Sequence, residues 1–345
     1  MTTQTFLGTE LPIVQAPMAG VQDSALATAA CLAGGLGSLP CAMLGAAARR
    51  DEVAALAAGA QGRPFNVNFF CHVPPAPDHA REAAWRVALA AYYDEFGIDA
   101  TAIAPGPGRA PFDSEAAALV EAFRPPVVSF HFGLPAPELL ARVKASGAKV
   151  LASATTVDEA RWLESHGADG VIAQGAEAGG HRGIFLSEDL TTQAGTLSLV
   201  PQIVRAVRLP VIAAGGIADA RGVAAALALG AVAAQVGTAY LLCPEATTSA
   251  VHRAALANDG VRHTALTNLF TGRPARGIVN RLMRELGPIS PVAPAFPLAV
   301  AALAPLRAAA ERRGSGDFSP LWCGQNASGC RAVPAGELTR ALAGV

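Results

Sequence analysis

Eight short apolar runs, separated by alanine-rich helical stretches, set the strongest constraint on how this chain folds. Their hydrophobicity is continuous rather than alternating, which is typical of parallel strands covered on both faces. Several of the helical stretches between them end in glycine, a common helix stop signal. The predicted strands are residues 12–16, 37–39, 65–69, 127–130, 149–152, 170–174, 210–214 and 233–236. This pattern predicts an α/β fold, a (β/α)8 TIM barrel, with a doubly wound open sheet as the alternative.

Two parts of the chain are longer than a (β/α)8 barrel requires. Roughly sixty residues separate the third and fourth predicted strands, so we expect an insertion at about 71–125 over the barrel mouth. It contains a helical stretch, 77–96, and a proline–glycine loop, 104–108. Helical pieces recur after Cys243, at 249–258, 300–312 and 334–343. We therefore predict a ligand-binding barrel over 1–240 and a helical C-terminal extension over 241–345 that packs on it.

Composition predicts a globular cytoplasmic enzyme. Of the 345 residues 52% are hydrophobic and only 15% are charged, and the net charge is −1. No basic stripe is present, which argues against a nucleic-acid partner. The six cysteines form no C-x-x-C pair, so we expect free thiols rather than disulfides or a zinc site. The N-terminus lacks the basic start and apolar core of a signal peptide.

One uncharged stretch, residues 223–243, is long enough to cross a bilayer. We expect no membrane partner, because Leu229 and Gly230 break the stretch into a short helix and a buried strand. Metal-binding and nucleophile-elbow motifs are also missing, so no metal is expected.

Glycine turns follow the last two predicted strands. Gly215 and Gly216 come after the seventh strand, and Gly237 and Thr238 come after the eighth. In TIM barrels phosphate usually binds at these two positions. The helical stretch 218–228 then offers first-turn N–H groups to an anion. Together the turns predict a phosphate-bearing ligand.

Other strand ends carry groups that suit a flat ring with polar edges. Glycines at 175, 179, 180 and 183 let the backbone approach such a ligand closely. Amide side chains are available for its carbonyl and imide groups. The residues concerned are Ala16, Pro17 and Met18 after the first strand, Asn66 and Asn68 in the third, and Gln174 at the end of the sixth. Collectively they suggest flavin mononucleotide (FMN).

Two histidines are candidates for catalysis. His181 lies on what we expect to be a mobile glycine loop after the sixth strand, and His131 ends the fourth. Either imidazole is able to take a proton or to stabilise negative charge near neutral pH. Arg182 follows His181 directly, and it either steers an anionic substrate or is solvated.

In combination these motifs resemble the nitronate monooxygenase family, formerly called 2-nitropropane dioxygenases. The matching segments are 15–20, 34–39, 66–69, 177–183, 214–217 and 235–238, with looser likeness at 268–276 and 321–325. The resemblance implies an FMN-containing barrel that oxidises alkyl nitronates, such as propionate 3-nitronate, with O2 to a carbonyl compound and nitrite. A homo-oligomer is compatible with the sequence.

Site residues follow from the same resemblance. His181 matches the active-site histidine of the family, and His131 matches a second histidine of the monooxygenase branch. The residues implied to hold FMN are Asn68, Gln174, Gly179, Gly216, Gln235, Val236, Gly237 and Thr238.

Two relatives of that family give the alternative functions, an NAD(P)H:quinone reductase and an FMN-dependent enoyl-acyl-carrier-protein reductase. The quinone reductase branch typically carries a lysine at the end of the fifth strand. Residues 151–155 contain none, which favours the monooxygenase. Residues 291–313 lack the tyrosines and lysine that monooxygenases of this branch often place near the substrate. A flavin-binding scaffold without activity is the remaining, non-enzymatic alternative.

Overall fold

The computed structural model describes residues 2–104, 106 and 108–345, so Pro105 and Pro107 of the predicted loop 104–108 lie outside the described residues. The strands fall into two sheets. They are β1 (Ile13–Gln15), β2 (Gly37–Pro40), β3 (Phe65–Phe70), β4 (Val127–His131), β5 (Lys149–Ala154), β6 (Gly170–Gln174), β7 (Gly180–His181), β8 (Val211–Ala214), β9 (Ala233–Val236), β10 (Thr264–Thr267) and β11 (Ala275–Ile278).

The larger sheet is a ring of eight parallel strands, in the order β1-β9-β8-β6-β5-β4-β3-β2. The ring closes between β1 and β2, where the N–H of Leu36 donates to the carbonyl of Ile13 and the N–H of Gln15 donates to that of Leu36, each at 2.9 Å. All eight predicted strands are present, with ends that move by at most two residues. The barrel is confirmed, and the open sheet is wrong.

Eight of the helices alternate with these strands around the barrel. The helices of the chain are α1 (Thr3–Leu7), α2 (Ser24–Leu32), α3 (Ala46–Gly59), α4 (His79–Ala88), α5 (Ala90–Phe96), α6 (Ser114–Phe123), α7 (Pro137–Ala145), α8 (Val157–Ser165), α9 (Thr196–Ala206), α10 (Ala220–Ala228), α11 (Ala250–Ala257), α12 (Arg281–Leu286), α13 (Ala299–Arg312) and α14 (Ala335–Ala343). The last helix, α14, contacts α2, α10 and β1, so it takes the place of the eighth barrel helix. The predicted division at residue 240 stays a prediction.

The uncharged stretch 223–243 forms most of α10 and all of β9. In the part of the chain that the structure describes, no helix has the length and apolarity needed to cross a membrane.

The insertion packs on the C-terminal extension and forms a second core with it. Buried Trp85 and Tyr93 from α4 and α5 lie in one cluster with Leu303 and Leu306 from α13. The Tyr93 hydroxyl donates to the carbonyl of Ala302 at 2.8 Å. The predicted helical stretch 77–96 is therefore a pair of helices, because a break at residue 89 lets both pack on α13.

A three-stranded antiparallel sheet, β10-β11-β7, stands outside the barrel ring. Its short strand β7 contains His181, which pairs with Ala275 of β11. The expected mobile glycine loop around His181 is therefore wrong, because the C-terminal extension supplies a strand that pairs with this backbone. The extension is helical over α11–α14 and also carries β10 and β11.

Candidate active site

A cavity of about 250 Å³ opens at the carboxyl ends of the barrel strands. It lies where TIM barrels hold their ligands. Fourteen of the fifteen predicted site residues line it: Ala16, Pro17, Met18, Asn68, His131, Gln174, Gly179, Gly180, His181, Gly215, Gly216, Gln235, Gly237 and Thr238. Val236 does not line it, because its side chain is buried in the barrel core.

The His181 ring sits among aromatic side chains. The ring centroids of Phe70, Phe132, Phe296 and Trp322 lie between 5.3 and 6.2 Å from its own. Burial in these surroundings, above all other causes, holds the pKa of His181 well below its ordinary value of 6.5. The imidazole is therefore neutral at pH 7, which is the form that accepts a proton.

A threonine fixes which nitrogen of His181 carries the proton. The Thr271 hydroxyl lies 3.0 Å from Nε2 of His181 and donates to the carbonyl of Arg273 at 3.3 Å. Because the hydroxyl hydrogen is used on that carbonyl, its oxygen accepts from Nε2–H, and this assignment leaves the lone pair on Nδ1. No described residue hydrogen-bonds Nδ1. The ring is thus arranged to accept a proton at Nδ1.

His131 and Gln174 hold the main chain of His181 in place. Nε2 of His131 and Nε2 of Gln174 donate to the His181 carbonyl at 3.1 and 3.0 Å. Oε1 of Gln174 accepts from the N–H of Gly183 at 2.8 Å, and Nδ1 of His131 lies 3.0 Å from the Ser153 hydroxyl. Both ring nitrogens of His131 are therefore engaged by the protein. Its predicted catalytic role stays a prediction, and its contacts are those of a residue that positions His181.

The glycine turns form the far end of the cavity. Gly215 has φ +116° and Gly216 has φ +72°, backbone conformations that residues with a side chain rarely adopt. Asn326 donates from Nδ2 to the carbonyl of Gly216 at 2.9 Å. The Asp219 carboxylate caps α10 by accepting from the N–H of Gly222, so the expected anion site at the start of this helix has one N–H group fewer and stays a prediction. Backbone N–H groups of the turns remain for a phosphate.

Polar atoms left over in the cavity wall suit a ring with hydrogen-bonding edges. Oε1 of Gln235 is buried and has no hydrogen-bond partner. Asn68 uses Nδ2 on the carbonyl and hydroxyl of Ser129, and no described residue hydrogen-bonds its Oδ1. A buried polar atom without a partner is costly, so Oε1 of Gln235 indicates a bound ligand, and Oδ1 of Asn68 is available to the same ligand.

Arg182 is buried and faces the protein interior. It is 0% exposed, and its guanidinium donates to the carbonyls of Gln174 and Gly175 and to the side chain of Gln193, at 2.6 to 3.0 Å. Both expectations for Arg182, substrate steering and solvation, are wrong. These hydrogen bonds connect Arg182, in the segment that carries His181, to the end of β6.

Glu159 hydrogen-bonds the backbone just after that segment. Its side chain is 1% exposed and accepts hydrogen bonds from the N–H and hydroxyl of Thr155 and from the N–H groups of Phe185 and Leu186. Sequence reasoning did not identify Glu159, because an acidic residue in the first turn of α8 also suits a solvated helix start.

Replacing Glu159 with alanine is expected to lower the free energy of unfolding by about 3 kcal/mol, because several buried donors lose their acceptor. Urea denaturation of the purified variant measures this. Asp158→Ala removes an exposed carboxylate from the same helix turn and is expected to change stability by less than about 0.5 kcal/mol. Equal stability of the two variants would contradict the role given to Glu159.

Acid is expected to destabilise the fold through its buried histidines. Burial lowers the pKa of His131 and of His252 from 6.5 to about 4. The unfolded chain therefore binds these protons first. Stability is full above pH 6.5 and falls as the pH drops toward 4, by about 1.4 kcal/mol per pH unit for each histidine.

Urea denaturation at pH 7.5 and pH 5.0 checks this pH dependence. His131→Gln is expected to reduce the difference in unfolding free energy between the two pH values. The exposed-histidine control His79→Gln is expected to leave it unchanged. A His131→Gln variant with the full wild-type difference would refute the assignment.

The C-terminal extension supplies further residues of the cavity wall. Trp322, Gly324 and Asn326 line it together with His252. Trp322 and Gly324 belong to segment 321–325, whose looser likeness to the family was the available signal. Arg109 also lines the cavity and had no signal, because it lies in the inserted segment, outside every recognised motif.

Comparisons with known proteins agree with this geometry. A family model described as nitronate monooxygenase matches residues 2–344. The nitronate monooxygenase of Pseudomonas aeruginosa is 44% identical over 97% of this chain and 96% of its own length. That of Paraburkholderia phytofirmans is 42% identical over 99% of this chain and 96% of its own length.

Solved structures give the same relation. A nitroalkane oxidase from Streptomyces ansochromogenes aligns with a TM-score of 0.88 at 42% identity and covers 99% of this chain and 96% of its own. FabK from Thermotoga maritima is more distant, with a TM-score of 0.71 at 27% identity. The alignment covers 99% of this chain and 94% of FabK. The full-length family match and the identity above 40% show that the chain belongs to the nitronate monooxygenase family.

Proposed function

We propose that the protein is an FMN-dependent nitronate monooxygenase that oxidises alkyl nitronates, such as propionate 3-nitronate, with O2 to a carbonyl compound and nitrite. The observation that carries the proposal is the neutral His181 ring, held in an aromatic cage at the wall of a glycine-lined cavity. The names of the relatives, nitronate monooxygenase and nitroalkane oxidase, support the same reaction class. A cytoplasmic location stays a prediction.

The residues present fit FMN. Backbone N–H groups at Gly215, Gly216, Gly237 and Thr238 would hold the phosphate. The unpartnered Oε1 of Gln235 and the available Oδ1 of Asn68 would meet the polar edge of the ring. No Asp or Glu is among the described residues that line the cavity, so nothing there repels a phosphate dianion. When bound, FMN would supply an acceptor for electrons from the substrate carbon and a donor of electrons to O2.

His181 performs the proton chemistry. A nitronate is already a carbanion equivalent, so the protein needs only to bind and orient it. A neutral nitroalkane must first lose its α-proton, and Nδ1 of His181 is the nitrogen free to take it. The aromatic cage partly shields the imidazole from solvent, and the hydrogen bond from Nε2 to Thr271 keeps the ring in one orientation.

Anaerobic mixing of the purified holoenzyme with substrate tests the proposal. Propionate 3-nitronate and NADH are offered separately while the flavin absorbance is followed, and O2 is then admitted. We expect the nitronate alone to reduce the flavin and nitrite to appear with O2. Reduction by NADH alone would assign the protein to a reductase branch. A colourless protein that takes up no FMN would overturn the cofactor assignment.

A further inference from the structure

The charged side chains around the cavity are all of one sign. Its described lining includes the arginines Arg109 and Arg307 and three histidines, and it includes no carboxylate. The pKa values of all three histidines, His131, His181 and His252, are lowered mainly by burial, so these rings are neutral at pH 7. The positive charge in the wall therefore comes from the arginines.

Three of the arginines close to the site are already used by the protein. Arg307 pairs with Glu311 at 2.8 Å. The guanidinium of Arg273 lies 4.1 Å from the ring centre of Phe132 and donates to the carbonyl of Ile184. The guanidinium of Arg182 is hydrogen-bonded to the backbone carbonyls of Gln174 and Gly175. Arg307 and Arg182 are therefore satisfied within the protein. Nε of Arg273 is buried without a partner, but Arg273 is not among the described residues that line the cavity.

Arg109 differs from Arg307 and Arg182 in its contacts, and from Arg273 in lining the cavity. Among the described residues no carboxylate lies within ion-pair distance of it, and no side chain or carbonyl accepts a hydrogen bond from its guanidinium. The group is partly buried, and burial lowers its pKa. A guanidinium that is partly withdrawn from water without a counter-ion is unfavourable, which points to a ligand as its partner.

Arg109 is also held at the right place. Nε2 of His72 donates to its backbone carbonyl at 3.0 Å, which anchors this part of the insertion. Its guanidinium carbon lies 5.6 Å from the ring centre of Phe296, and that ring lies 5.3 Å from the His181 ring. Arg109 and His181 thus contact the same aromatic ring. Both residues line the cavity, so a substrate beside His181 can reach Arg109 with its far end.

We propose that Arg109 is a specificity residue that binds the carboxylate at the far end of a substrate such as propionate 3-nitronate. The planar fork of arginine matches a carboxylate with two hydrogen bonds. This inference rests on the proposed nitronate oxidation. It adds the residue that recognises the carboxylate of such a substrate.

A matched pair of substrates tests the inference. Propionate 3-nitronate and propyl-1-nitronate have the same three-carbon chain and differ by a carboxylate in place of a methyl group. In Arg109→Met we expect kcat/KM for propionate 3-nitronate to fall about 30-fold, mainly through KM, and that for propyl-1-nitronate to change less than about 3-fold. Arg109→Lys keeps a point charge and should restore part of the loss.

Arg50→Met is the matched control variant. Arg50 is exposed and stacks on Phe123 at 5.4 Å, so its replacement removes the same kind of contact far from the cavity. We expect wild-type kinetics from it with both substrates. Flavin content and melting temperature of each variant establish that it is folded.

The outcomes separate this inference from the proposed function. If the wild-type enzyme oxidises neither nitronate, the proposed function fails. If it oxidises both and Arg109→Met lowers both equally, or neither, the carboxylate role is wrong. Should Arg109→Met not fold, Arg109→Gln decides: the flavin difference spectrum should give 3-nitropropionate a Kd at least about 10-fold above its wild-type value and leave that of 1-nitropropane unchanged. An Arg109→Gln variant with the wild-type Kd for 3-nitropropionate would overturn the inference.

Discussion

Replacing His181 with asparagine is expected to lower kcat/KM for a neutral nitroalkane by about 10²- to 10⁴-fold, the range found for loss of a positioned general base. Asparagine is polar but accepts no proton at pH 7. A preformed nitronate needs no deprotonation, so we expect its kcat/KM to fall much less. Nitrite release from 1-nitropropane and from its nitronate, measured in parallel, gives the two ratios.

The comparison of the two substrates is what identifies the base. Unchanged turnover of the nitroalkane would rule out His181 in this role. Equal losses with both substrates would mean that His181 acts on a step that they share, such as binding the nitro group. His79→Asn removes an exposed histidine and should match the wild-type enzyme with both substrates.

Replacing Gly179 with alanine is expected to raise the Kd for FMN by about 10- to 100-fold and to destabilise the apoprotein by about 2 kcal/mol. An added Cβ would lie 2.6 Å from the backbone nitrogen of Gly324 and 2.7 Å from the carbonyl carbon of Cys323. These are backbone atoms, so the whole segment must move. That segment carries Trp322 and Asn326, which line the cavity.

Fluorescence titration of the apoprotein with FMN and urea denaturation measure the two effects of Gly179→Ala. Gly45→Ala is the matched control, because its Cβ would meet no atom within 4 Å and its φ of −66° suits alanine. If Gly179→Ala bound FMN as tightly as Gly45→Ala does, the close approach of the two segments would not matter for the cofactor site.

Local patterns predicted much of the fold because the barrel is built from repeated short elements. Each buried parallel strand has a continuous apolar run, and each helix ends at a stop signal such as the glycines at 147, 167 and 230. The strand ends then fix where a ligand binds, since parallel strands in a barrel place their carboxyl ends on one face. That reasoning found most of the cavity wall.

The sequence did not predict the roles that depend on distant partners. Arg182 looked like a substrate residue because it adjoins His181, but neighbours in an extended chain point to opposite sides, and its side chain faces the interior. His181 looked mobile until β11, almost a hundred residues later in the chain, provided a strand to pair with it. Arg109 gave no signal at all.

The sequence by itself therefore determined the barrel, the face that carries the site, and most of the residues in the cavity wall, because these follow from local periodicity and from the direction of parallel strands. Only the tertiary structure decided which of those residues serve the protein and which face a ligand. That choice depends on contacts between the inserted segment, the loop after β6 and the C-terminal extension, and such contacts have no period that a sequence displays.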